Sequence, residues 1–154
     1  NDLIERPIGS YRGMGIHSLL EVSLSQYSRY FPEATENLIS RGKRPIFAHP
    51  ERVIPLIGDF QTISSLVSSG VIIQISAGSV LGDFGKRISE FSWGLMEQKL
   101  VHCIASDSHN STKRPFNLDS AWLAVRERLG EDAADLLLFH NPRHILFAGE
   151  IESL

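Results

Sequence analysis

Cysteine is nearly absent from this chain of 154 residues: Cys103 stands alone. One thiol makes no internal disulfide, so packing must hold the fold, and the composition suits a reducing compartment such as the cytoplasm. Long apolar runs are missing too. Leu136-Leu137-Leu138-Phe139 is among the longest, far short of the roughly 18 residues of a membrane helix. Membrane insertion is not expected. Nor is there charge of one sign. Fifteen Lys and Arg against 18 Asp and Glu leave a formal charge of −3, which gives no bulk attraction for nucleic acid or anionic lipid. Repeats and low-complexity stretches are lacking. The start, Asn1-Asp2-Leu3-Ile4-Glu5-Arg6, has neither Met nor the basic-then-apolar order of a secretory leader. No leader is expected, and a start inside a longer chain is.

What is present is ordinary globular composition, 42% hydrophobic and 21% charged. That is too apolar for intrinsic disorder, and the length suits one domain over 1–154. A strand-then-helix rhythm runs through it. Leu19 to Leu24 reads as a strand, and Glu33 to Gly42 as a helix with Pro32 in its first turn. Pro45 to His49 is a short apolar strand. Asp59 can cap a helix that places Ile63, Leu66 and Val67 on one face and stops at Gly70. Val71 to Ile75 is β-branched and nearly all apolar, as suits a parallel strand covered on both faces. A glycine-rich turn, Ala77 to Gly85, leads into a helix carrying Ile88, Phe91, Leu95 and Met96. Leu100 to Ala105 is the fourth strand. Helices follow over Asn117–Leu129 and Glu131–Phe139, then a short turn after Pro142. About four βα units predict an α/β class with a parallel sheet and flanking helices.

In such folds function gathers beyond the C-terminal ends of the strands. The second strand ends in His49-Pro50-Glu51-Arg52. The fourth ends in Ser106-Asp107-Ser108-His109-Asn110, with Lys113-Arg114 behind. Residues i and i+2 of an extended segment point the same way, so Asp107 and His109 can face one pocket. Carboxylate with imidazole suits Mn²⁺, Fe²⁺ or Zn²⁺. Equally, Asp107 reads as a helix cap and His109 as a surface loop residue. His49 reads as a ligand or as a core histidine bonded to backbone. Glu21 lies among apolar neighbours. Buried there, its carboxylate costs several kcal/mol unless paired or metal-bound; on a solvated strand face it costs nothing. Arg52 and Arg114 suit bidentate phosphate binding, or are solvated loop arginines. His17, His102, His140 and His144 read as structural.

Three blocks occur in order: Phe47-Ala48-His49-Pro50-Glu51-Arg52, Gln74-Ile75-Ser76-Ala77-Gly78-Ser79-Val80-Leu81-Gly82-Asp83-Phe84-Gly85, and Leu100 to Asn110 followed by Arg114-Pro115. Together with the late Asn141-Pro142-Arg143, they resemble the bacterial manganese-dependent protein-tyrosine phosphatases of the polymerase-and-histidinol-phosphatase (PHP) superfamily. Those enzymes regulate capsule and exopolysaccharide synthesis. The resemblance runs from about Leu19 to Glu150. It implies about half of a distorted β/α barrel, which when complete holds two or three metal ions, Mn²⁺ being the expected one. It also implies Glu21, His49, Asp107 and His109 as metal ligands, and Arg52 and Arg114 as the catalytic, phosphate-binding arginines. Glu51 and Asn110 would support them. Glu21 precedes His49 by 28 residues, about the family's spacing.

The implied reaction is dephosphorylation of phosphotyrosine in a protein, such as a bacterial tyrosine autokinase, in the cytoplasm. Two alternatives stay open: another PHP phosphoesterase, of the histidinol-phosphate type, or a non-catalytic remnant that binds a partner. The family's opening His-x-His motif is absent, so the chain is expected to correspond to the C-terminal half. Half a barrel leaves strand edges unpaired, so association with another copy is also expected. A thiol mechanism is not: His109 stands where a Cys-x5-Arg loop starting at Cys103 needs its arginine.

Overall fold

The computed structural model describes residues 16–110, 116–147 and 149–154. Four strands form one parallel sheet in the order β1 (His17–Leu20), β2 (Arg44–Ala48), β3 (Ile72–Ser76) and β4 (Cys103–Ala105). The connections are helical: α1 (Phe31–Ser40) between β1 and β2, α2 (Phe60–Ser68) between β2 and β3, then α3 (Ala77–Leu81) and α4 (Lys86–Glu97) before β4. After β4 come α5 (Leu118–Leu129), α6 (Glu131–Asp135) and α7 (Asn141–Phe147). This is the expected α/β class with a parallel sheet. Among the described residues, no helix is long and apolar enough to cross a membrane.

Strand alternation divides the core in two. Phe47, Ile73, Ile75 and Ile104 pack with the helical residues Ile63, Leu66, Leu95, Met96 and Val125. Their neighbours Ile46, Ile72 and Cys103 point the other way and pack with Ile145 of α7. Both faces of β2 to β4 are thus covered, which explains why these strands read as continuous apolar runs. The predicted stops hold. Asp59 accepts the Thr62 N–H at 3.0 Å and caps α2. Gly42 and Gly70 take positive φ after α1 and α2.

Four boundaries differ from expectation. β1 ends at Leu20, not Leu24, because its partner β2 ends one step later (Leu20 opposite Phe47) and Ser23 starts a turn closed by the Gln26 N–H. β4 holds only Cys103–Ala105. The glycine-rich segment after β3 begins as a helix, and its reversal is confined to Gly82 and Gly85. Lastly, α7 replaces the short turn after Pro142. A wide π turn, Leu136–His140, leads into it. The proline ring would meet the Leu138 carbonyl in a regular helix, and widening the turn relieves this. Asn141 is fully buried and donates to the His102 carbonyl at 2.8 Å and the Glu152 carbonyl at 2.7 Å, tying the last residues to the start of β4.

His102 precedes β4 and is buried; its Nδ1 accepts the Ile73 N–H at 3.0 Å. Only a neutral ring accepts there. Burial lowers its pKa from 6.5 to about 4. The unfolded chain therefore takes up a proton that the folded chain refuses between those values, and stability is lost as pH falls through that window. In His102→Asn, the amide oxygen keeps the acceptor without titrating. The stability gap between wild type and His102→Asn, read from urea midpoints, is expected to move in favour of the variant from pH 6.5 to 4. A gap constant with pH would remove His102 from this role.

Candidate active site

All four strands deliver to one edge. Glu21 is the first residue past β1 and His49 the first past β2. Ser76 ends β3, and Asp107 lies two residues past β4. Because the strands are parallel, these ends share the C-terminal side of the sheet, where open α/β folds bind ligands.

Two of these residues have unusual backbones. His49 is left-handed, φ 37° and ψ 51°, and Asp107 has φ 49°. Non-glycine residues adopt this region at a cost of order 1–3 kcal/mol, and such strain concentrates at functional sites. The His49 N–H donates to the Gln74 carbonyl at 2.7 Å, so β3 still holds the turning point. The chain then enters a 3₁₀ turn, Pro50–Arg52.

The predicted residues meet in two groups. His49 Nε2 lies 3.1 Å from Glu21 Oε1. The histidine is buried, but the Glu21 side chain is 66% exposed. Glu21 is therefore no buried strand carboxylate; the solvated placement holds, and its link to the site is the His49 contact. In the second group, Asp107 Oδ2 accepts from Arg52 Nη1 at 2.5 Å and from Ser76 Oγ at 3.5 Å. Asp107 Oδ1 faces His109 Nε2 at 3.3 Å. The Arg52 guanidinium lies over the Phe84 ring, 4.1 Å from its centroid. Arg114 lies outside the described residues. Asn110 is exposed.

Between His49 and Arg52 in sequence lies Glu51, fully buried. Its Oε1 accepts from the Ser76 N–H at 3.0 Å and from Ser79 Oγ at 2.6 Å. Its Oε2 is buried and has no partner among the described residues. Burial pushes this carboxyl up to about 7, against the pull of the Ser79 and Ser76 hydrogen bonds. The sequence marked Glu51 only as a supporting neighbour. It gave no notice of Phe84; the one available signal was an aromatic residue enclosed by Gly82 and Gly85.

By kind, the donors fit a divalent cation: two carboxylates and two imidazoles, with no thiolate. By itself each pair is at most part of a coordination shell. Among the described residues, no three His, Cys, Asp or Glu side chains form one metal-sized cluster. The single thiol is out of play. Cys103 is buried on the face of β4 that packs against α7, and burial raises its pKa to about 12. A group so protonated at neutral pH is no nucleophile.

The family described as capsular polysaccharide synthesis, CpsB/CapC, matches residues 15–147. The CapC protein of Staphylococcus aureus is 37% identical over 100 residues, 65% of this chain and 39% of that protein. The tyrosine-protein phosphatase YwqE of Bacillus subtilis is 33% identical over 119 residues, 77% of this chain and 47% of that protein. Crystal structures described as YwqE from B. subtilis and CpsB from Streptococcus pneumoniae, unique metal-dependent tyrosine phosphatases, include a match with TM-score 0.85. It is 30% identical and covers 90% of this chain and 56% of the other. The chain thus spans about half the length of the curated relatives it matches. Family match, shared fold and sequence identity agree: the chain belongs to the CpsB/CapC family.

Proposed function

We propose that this chain forms part of a metal-dependent phosphomonoesterase that removes phosphate from phosphotyrosine in protein. The observation that carries it is the Asp107 group. A carboxylate, an imidazole and a guanidinium converge at the C-terminal edge of the sheet, in a chain related to tyrosine phosphatases. Glu21 with His49, and Asp107 with His109, would hold divalent metal, with Mn²⁺ the expected ion. Metal so held lowers the pKa of water towards neutrality and offsets phosphoryl charge.

Arg52 binds the phosphoryl oxygens and stabilises charge on them in the transition state, since its planar fork matches a phosphate. Arg114 is assigned the same role. Ser76 and Glu51 fix the backbone from which these groups project. No thiol takes part. The proposed substrate is a phosphotyrosine protein such as a bacterial tyrosine autokinase, met in the cytoplasm. Association with a second copy of the chain belongs to the same reading.

Three measurements check this. Mn²⁺ should raise the melting temperature, by linkage to the folded state, and Asp107→Ala should abolish most of that rise. An unchanged rise would remove Asp107 from the metal site. Arg52→Ala should lower turnover of p-nitrophenyl phosphate by about 10²–10³, typical for loss of one oxyanion donor, while Mn²⁺ still raises the melting temperature; wild-type turnover would return Arg52 to a structural role. Cys103 should resist iodoacetamide in the native protein at neutral pH and react fully in urea. Rapid native alkylation with matching loss of activity would point to a thiol mechanism.

A further inference from the structure

Arg52 is held in a way its proposed role does not by itself require. Its side chain is only 11% exposed. One N–H is spent on Asp107, and Phe84 covers one face of the guanidinium. Among the described residues, no further hydrogen bond engages its remaining donors. A guanidinium has five N–H donors in one rigid plane. Fixing one edge and one face fixes that plane, and with it the direction of every other N–H.

Phe84 is itself clamped. Gly82, at φ 89°, ends α3, and the Asp83 N–H donates to the Gly78 carbonyl at 2.8 Å. Gly85, at φ 95°, turns the chain again, its N–H donating to the Gly82 carbonyl at 3.0 Å. The ring then rests over Gly78. A Cβ added at Gly78 would lie 3.0 Å from Phe84 Cε2 and 3.0 Å from Asp83 Oδ2. Glycine at 78 therefore provides the seat that lets the ring approach.

We propose that Phe84 is a positioning residue, which stacks on Arg52 and orients its free N–H groups towards the phosphate of the substrate. This rests on the reading of Arg52 as a phosphate-binding group. The attraction is that of a cation to the negative face of a ring, and it strengthens where water is excluded. Asp107 alone leaves the guanidinium free to rotate about that one hydrogen bond. The ring removes this freedom before phosphate arrives, so less ordering is left for the binding step.

Phe84→Leu keeps apolar bulk and loses the π face; Phe84→Tyr keeps both. Two readouts are taken: the Arg52 Nε–H resonance, assigned through Arg52→Lys, on protein loaded with diamagnetic Mg²⁺, because Mn²⁺ beside Asp107 would broaden it away, and calorimetric affinity for inorganic phosphate on Mn²⁺-loaded protein. In wild type and Phe84→Tyr, ring current should place the resonance upfield of the solvated arginines. In Phe84→Leu it should return to their range, with phosphate affinity lower by roughly 2- to 30-fold, the span a stack of about 0.5–2 kcal/mol produces. Melting temperature should change little. Gly78→Ala, which displaces the ring without removing it, should shift both readouts the same way, and decides the matter if Phe84→Leu does not fold. If Arg52→Lys leaves phosphate binding unaltered, the reading of Arg52 is overturned and this proposal with it. If Arg52→Lys weakens binding but Phe84→Leu does not, the proposal alone is overturned.

Discussion

Glu51 is a carboxyl group with no access to solvent, and the next strand end supplies donors to one of its two oxygens, Oε1. A buried carboxylate left without donors costs several kcal/mol. Here the donors are the backbone of Ser76 and the hydroxyl of Ser79. Both belong to the step from β3 into α3, whereas Glu51 belongs to the turn after β2. Satisfying one carboxylate oxygen therefore joins two strand ends. His49 and Arg52 flank Glu51 in the same short turn, so a displacement of Glu51 would move both. Ser76 also faces Asp107, which brings the end of β4 into the same network. The site is braced by one buried acid.

The backbone around that brace is strained where chemistry is proposed. Left-handed φ at His49 and Asp107 costs of order 1–3 kcal/mol each, near the low end because His and Asp are among the side chains that tolerate this region best. Glycine would relieve the strain and remove the donor atoms. Keeping an imidazole and a carboxylate at these two turning points exchanges stability for position. Hydrogen bonds on either side hold the turns in place, the His49 N–H to Gln74 and Asp107 to Arg52.

Much of this was legible in the sequence, and the reasons differ by element. β-branched runs and helix stops are local signals, so β2, β3, α1 and α2 fall within a few residues of expectation. The edge position of His49 and Asp107 follows from parallel topology alone. Other features depend on partners distant in sequence. Glu21 reads equally as buried or solvated, and the choice rests on β1 ending at Leu20, where pairing with β2 runs out. Pro142 looks like a terminator, but a π turn ahead of it lets the helix continue. Ser76 and Ser79 acquire meaning only once Glu51 is placed beside them. Phe84 is an ordinary aromatic residue until Arg52, 32 positions earlier, is found stacked on it.

The charges described at the strand ends favour a cation over an anion. Among the described residues, Glu21 and Asp107 bring two carboxylates to the edge, and Arg52 brings one fixed cation that Asp107 already engages. The fixed charges among these described residues are net negative and by themselves repel a phosphate dianion. A divalent cation meets attraction from both pairs. Its charge would outweigh what the carboxylates leave uncompensated and turn the edge positive towards phosphate. Arg52 then differs in kind from the proposed metal ligands. Its positive charge does not depend on the cation, and Phe84 and Asp107 fix its plane. On the proposed reading, the described part of the site separates two tasks, with carboxylate–imidazole pairs suited to gathering cations and the immobilised Arg52 guanidinium suited to reading the phosphate.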